Sequence, residues 1–314
     1  MRRGGNNDKF VWCSKSAFYN LFVMEEIHEF RIFKKDYPLL AQPNNAKFNG
    51  FVYVFKISRN DPVFQQIGLL HMEMMKKYNE PLFGFWAVSR NYTKKELGDA
   101  KLFRFKIKTA FEPAGEECGT EYDESVACEI CGANRKQIGP LKLKRGSIPK
   151  KDIARTIAGE VVVSEKFATV FKRHTLKGAL FAPVGASGYY QLIASSPELE
   201  LTEHTIAGGN PFDLPKESTE ALEFFVSGGY KVRIEKMVLK CPKGHTIGPR
   251  LISEAYVFDS PAINDNDFFV SRQKTGAKQG LLRPEPIYFC SPTFRKMVAD
   301  EKLSGFDFEI THVE

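Results

Sequence analysis

No stretch of the 314-residue chain stays apolar for the roughly 18 residues that a membrane-spanning helix needs, so no such segment is expected. Cysteine is scarce: there are six, and their spacing does not read as a disulfide framework. Met1 to Lys9 is polar and no apolar core follows it, so a secretory leader is not expected and the compartment is read as a reducing cytoplasm. Catalytic signatures are missing as well. The chain has no G-x-S-x-G, no H-E-x-x-H, no Walker phosphate loop and no Rossmann glycine fingerprint. His28, His174, His204 and His312 have no cysteine or histidine near them at ligand spacing. A core is well provided for, with 43% hydrophobic residues and 27 phenylalanines.

The chemistry concentrates at two short stretches. Cys128-Glu129-Ile130-Cys131-Gly132 places two thiols two residues apart, with a glycine that accepts the left-handed backbone such a knuckle uses. Cys241-Pro242-Lys243-Gly244-His245 supplies a third thiol and an imidazole across a tight turn. Gly132 to Lys240 holds no cysteine, so the first knuckle has no nearer downstream thiol. Cys128, Cys131, Cys241 and His245 together make a Cys3His set suited to structural zinc, Zn(2+). A closed set of four leaves no position for water or substrate, so the expected role is a staple. Two other readings stand beside it: buried free thiols, or a redox C-x-x-C, although no apolar strand leads into the motif. Cys118 could replace one of the four ligands.

Charge is unevenly spread around the first knuckle. Glu112 to Glu129 carries seven acidic residues and neither lysine nor arginine, whereas Arg135 to Arg155 carries eight basic residues against Asp152 alone. The ordinary explanation is two solvated surfaces that partly compensate. The sharper one is a phosphate-binding strip over residues 135–155, which lacks the interleaved aromatics of single-strand binders.

Along the chain, Phe10 to Cys13 reads as a strand, followed by a helix carrying Phe18, Leu21, Phe22 and Ile27. Phe51 to Ile57 and Leu82 to Val88 are strands, separated by a helix that Asp61-Pro62 opens and that runs to about Tyr78. Thr93 starts a short helix, and Lys101 to Lys108 alternates as a strand with one buried and one cationic face. Residues 1–111 therefore read as an N-terminal module, residues 112–127 as an acidic linker and residues 128–314 as a zinc-stapled domain. The class expected is α+β with mixed sheets. Two strand–helix–strand units recur, near 160–184 and 287–313: Ser164, Phe167, Leu176, Gly178 and Phe181 align without gaps with Ser291, Phe294, Leu303, Gly305 and Phe308. Ser164 and Ser291 stand where helix caps belong rather than nucleophiles.

Three stretches carry a resemblance to a known group: Cys128 to Gly132, Asp152 to Phe167 with Leu176 to Val184, and Cys290 to Val313. Over about residues 126–314 the chain resembles bacterial double-CxxCG-motif proteins and, more loosely, immunity proteins of polymorphic-toxin systems. The group's second CxxCG is represented here by the Cys241-to-His245 stretch, with an imidazole for one thiolate. The resemblance implies a non-catalytic protein that binds and neutralises a toxin protein. The alternatives are a zinc-stabilised nucleic-acid binder using residues 135–155, and an enzyme with its site in the N-terminal module.

Overall fold

The computed structural model describes residues 24–41, 43, 45–185, 188–212, 222–225, 231–234 and 240–314. The strand expected at Phe10–Cys13 and most of the helix after it lie outside these residues. Ile27, that helix's last apolar position, instead belongs to β1 (Glu25–Phe33), where alternation buries His28, Phe30 and Ile32 on one face. The short β2 (Lys47–Phe48) and β3 (Val52–Ser58) precede α1 (Pro62–Tyr78), which β4 (Phe83–Asn91) follows. The four strands form an antiparallel sheet in the order β2-β3-β1-β4. Asp61 caps α1 by accepting from the Val63 N–H at 2.8 Å, with Pro62 at the first helical position, where its missing donor costs nothing. The helix lays Phe64, Ile67, His71 and Met74 toward Phe30, Ile32, Phe55 and Trp86 of the sheet.

α2 (Lys94–Asp99) begins at Thr93 with a reciprocal capping box to Glu96 and leads into β5 (Leu102–Ile107). After β6 (Ala110–Phe111), β7 (Glu121–Asp123) and β8 (Lys136–Ile138) pair as a small hairpin. There follow β9 (Ile153–Thr156), β10 (Val161–Ser164), α3 (Glu165–Arg173), β11 (Ala179–Pro183) and β12 (Tyr189–Ala194). β13 (Leu222–Phe225) pairs with β14 (Lys231–Ile234). The remainder is β15 (Thr246–Gly248), β16 (Ala255–Val257), the one-turn α4 (Ala262–Asp265), β17 (Phe268–Thr275), β18 (Glu285–Cys290), α5 (Pro292–Asp300) and β19 (Phe306–Val313). Two mixed sheets result, in the orders β11-β12-β10-β9-β6 and β15-β17-β18-β5-β19-β16. The fold is α+β.

The repeat seen in the sequence is a split β-α-β unit. β10 and β11 flank β12, antiparallel to both; β18 and β19 flank β5, again antiparallel to both. The middle strand thus comes from different places: from just downstream in the first unit, and from nearly two hundred residues upstream in the second. β5, which ends the first module in the sequence reading, is the centre of the second unit's sheet. Its Phe103 and Phe105 enter a core shared by both sheets, α3 and α5.

Each unit clasps the other. Ser164 Oγ accepts from the Phe167 N–H at 3.1 Å and donates to Asp152; Ser291 Oγ accepts from the Phe294 N–H at 3.1 Å and donates to Asp267. The second carboxylate oxygen crosses over. Asp152 receives the N–H of Ser304 in the second unit at 2.7 Å, and Asp267 receives that of Lys177 in the first at 3.0 Å. Gly178 and Gly305, the next residues, sit at φ +98° and +103°. A Cβ there would lie 2.3 Å from the Phe268 carbonyl oxygen and 2.4 Å from that of Ile153, so glycine is required twice over.

The cationic face expected on β5 is largely turned away from solvent. Arg104 and Lys106 both reach Glu309 on neighbouring β19, the Arg104 contact at 2.9 Å, and Arg90 of β4 approaches the same carboxylate at 3.5 Å. Arg90 also binds Glu26 at 2.8 Å, so one chain of charges joins the first sheet to the six-stranded one. Burial would raise the Glu309 pKa, but Arg104, Lys106 and Arg90 hold it below the usual carboxylate range.

Candidate metal centre

The Cys128–Gly132 knuckle is closed by its own backbone: the Gly132 N–H donates to the Cys128 carbonyl at 2.7 Å, and the Cys128 N–H to that of Ala133 at 2.8 Å. Gly132 takes φ +70°, the conformation for which the motif keeps a glycine. The second loop closes similarly, with the Gly244 N–H on the Cys241 carbonyl at 2.8 Å. It is anchored to the sheet on both flanks. The Cys241 N–H reaches the carbonyl and the hydroxyl of Thr246, each at 3.0 Å, and the Lys274 N–H of β17 reaches the His245 carbonyl at 2.8 Å.

Folding brings Cys128, Cys131, Cys241 and His245 together, with the four ligand atoms all within 4.8 Å of one another. Zinc–sulfur and zinc–nitrogen bonds at tetrahedral angles demand edges of about 3.8 Å between sulfurs and about 3.6 Å between sulfur and nitrogen. The Cys128 and Cys241 sulfurs are 3.8 Å apart, and His245 Nδ1 lies 3.7 Å from Cys241 Sγ and 4.0 Å from Cys131 Sγ. These three edges match those of a tetrahedral ion, and the remaining three are no longer than 4.8 Å. All three cysteines are buried and none forms a disulfide. Cys118, the alternative fourth ligand, ends the turn Glu116–Cys118 outside this group.

The electrostatics of the cluster favour charge on one of its sulfurs and oppose it on another. The N–H groups of Cys131 and Ile130 point at the Cys128 sulfur and, with His245, lower its pKa to about 6 despite burial. Cys131 is pushed the other way, up to about 12, by burial and by its neighbours Cys128 and Cys241. One thiolate forms easily and the next is opposed; coordination to a dication removes that opposition, because coordinated thiols lose their protons. Three lysines surround the cluster. Lys243 reaches Glu129 at 2.7 Å across the two loops, Lys274 donates to Asn134 at 2.6 Å, and Lys278 lies over Gly132. Thr246, Lys274 and Lys278 were not visible as parts of the site in the sequence, since they arrive by strand pairing rather than by spacing.

The acidic and basic stretches meet across the β7–β8 hairpin. Arg135 binds Glu116 at 2.8 Å and Glu124 at 3.3 Å, and covers the Tyr122 ring at 3.8 Å. Lys142, Lys144, Arg145, Lys150 and Lys151 stay exposed. A cleft of about 390 Å³ between the α2 region and the end of β19 is lined by Tyr92, Glu96, Asp99, Lys101, Glu254 and His312 among others. Tyr92 and His312 occupy both oxygens of Glu254, at 2.6 and 2.9 Å. Among the described residues no helix is long and apolar enough to cross a membrane. No protein-family model, curated protein or solved structure matches the chain.

Proposed function

We propose that the Cys3His cluster holds one structural zinc ion and that the chain is a non-catalytic binding protein, immunity-like, which neutralises a toxin protein. The tetrahedral spacing of Cys128, Cys131, Cys241 and His245 carries the first half of this reading. Three thiolates suit zinc among the common divalent ions, and four protein ligands leave no open position for chemistry. The ion would bind the first loop to the second, holding the β7–β8 region against the six-stranded sheet.

The resemblance of residues 126–314 to double-CxxCG and immunity proteins supports the second half. So does the placing of the charged stretches: Arg135 meets Glu116 and Glu124 across the β7–β8 hairpin, and the exposed Lys142 reaches the Gly119 carbonyl, so acidic and basic groups share one region of the surface. Such a surface favours a protein partner over nucleic acid, which the acidic part repels. The test is co-production with a secreted toxin encoded beside this chain's gene. A stable complex and restored growth are expected, and the triple change Lys142→Glu, Lys144→Glu and Arg145→Glu weakens the complex. Tight binding of duplex DNA or RNA with a steep loss of affinity between low and physiological salt, and no toxin complex, contradicts it in favour of a nucleic-acid binder.

A further inference from the structure

The five-stranded sheet ends in β11, and the edge it presents differs from the others in the three large sheets. β2 and β6 are two residues long, β15 and β16 three, and the long edge strand β4 has β13 beside it. Proteins blunt long edges with lysine, bulges or a covering segment. β11, Ala179–Pro183, has no charged residue and no bulge, and Pro183 closes only its far end.

The register tells which backbone groups face outward. The Ser195 N–H donates to the Gly178 carbonyl at 2.9 Å, so positions 178, 180 and 182 exchange hydrogen bonds with β12. Ala179 and Phe181 must then turn their N–H and C=O groups to the open side, where no described residue meets them. On the sheet's outer face Leu180, 57% exposed, stands directly across from Ile193, 39% exposed. On the other face Lys172 Nζ lies 5.8 Å from the Phe181 ring, and Lys177 precedes the strand. Salt bridges at this corner join Arg173 and His174 to Glu301 and leave Lys172 and Lys177 without one among the described residues.

We propose that β11 is a docking edge that accepts an extended, acidic segment of a partner protein as a further strand of the sheet. Backbone hydrogen bonds at Ala179 and Phe181 supply the pairing, Leu180 and Ile193 receive an apolar side chain, and Lys172 and Lys177 select acidic residues. The proposal gives a binding mode to the protein-binding reading above and does not depend on the metal.

Residue-resolved amide exchange on the full metal-loaded chain tests it, with a short peptide of alternating valine and glutamate as the probe and its valine–lysine counterpart as the control. In the free chain Leu180 and Ala182 should be protected and Ala179 and Phe181 should exchange freely. The acidic peptide should protect the latter pair, the basic one should not, and Leu180→Asp, a surface change that removes the apolar contact and adds a like charge, should weaken binding at least about tenfold. The proposal is overturned if Ala179 and Phe181 are protected without peptide, or if the acidic peptide leaves them unprotected. Protection that grows with concentration of the chain alone assigns the edge to a second copy and overturns it too. A toxin complex unaffected by Leu180→Asp would leave the protein-binding reading standing while removing the edge from it.

Discussion

His71 shows how burial alone converts a side chain into a pH dependence. Its ring stacks on Phe83 at 4.6 Å, and its Nδ1 faces the Leu82 N–H at 3.4 Å, so it is held neutral as an acceptor. Burial lowers its pKa from 6.5 to about 4. The unfolded chain therefore binds the proton more tightly. The stability this contributes is fully present above pH 6.5 and is lost as the pH falls toward about 4, a loss of about 3 kcal/mol. Glu26 behaves similarly at lower pH. Burial opposes its charge, but His28, Arg90 and Arg59 hold its pKa at about 2, so its contribution is lost only below about 4.5. Denaturant titrations at several pH values should show the loss between pH 6.5 and 4, and His71→Phe should flatten that part of the profile. An unchanged profile would mean that the ring is solvated. From sequence, His71 reads as a packing or surface residue of a helix; its chemical state became legible only with Phe83 and Leu82 packed against it. The gathering of Cys128, Cys131, Cys241 and His245, by contrast, could be expected from the sequence, because each short motif sets the separation of its own pair; the sequence left open whether Cys118 replaced one of them.

At the level of elements, the capping serines were legible for the same reason. From Ser164 to Gly178 and from Ser291 to Gly305 the spacing is identical, since cap, helix and glycine turn form one local unit. What was not legible is the partner of each cap. Asp152 precedes its serine by a short β9–β10 hairpin and Asp267 by the longer β17–β18 one, so no ungapped alignment can match them. Nor could the middle strands β12 and β5 be assigned, because strand pairing across long loops has no local signal. Ser164→Ala and Ser291→Ala should each lower unfolding free energy by about 1 kcal/mol while leaving binding activity intact. Lost binding at full stability would instead give these hydroxyls a chemical role.

For the molecule as a whole, the account rests on segments remote in sequence being joined. β5 threads the first module into the six-stranded sheet, and Glu309 gathers Arg90, Arg104 and Lys106 at that junction. The first module's core also takes in Ile252, and Trp86 donates to the Gly209 carbonyl at 2.7 Å. Composition and alternation revealed α+β structure but not these joins, which depend on which strand lies beside which. The Cys3His group is the exception: its two halves lie over a hundred residues apart, yet their residue types suggested the join. The most direct test is elemental analysis with X-ray absorption on chain purified under reducing conditions without chelator. The account predicts about one zinc per chain, with three sulfurs near 2.3 Å and one nitrogen near 2.0–2.1 Å, and loss of both the metal and much of the stability in Cys128→Ser. Chain that carries no metal and remains folded, with its cysteines as free thiols, would contradict it.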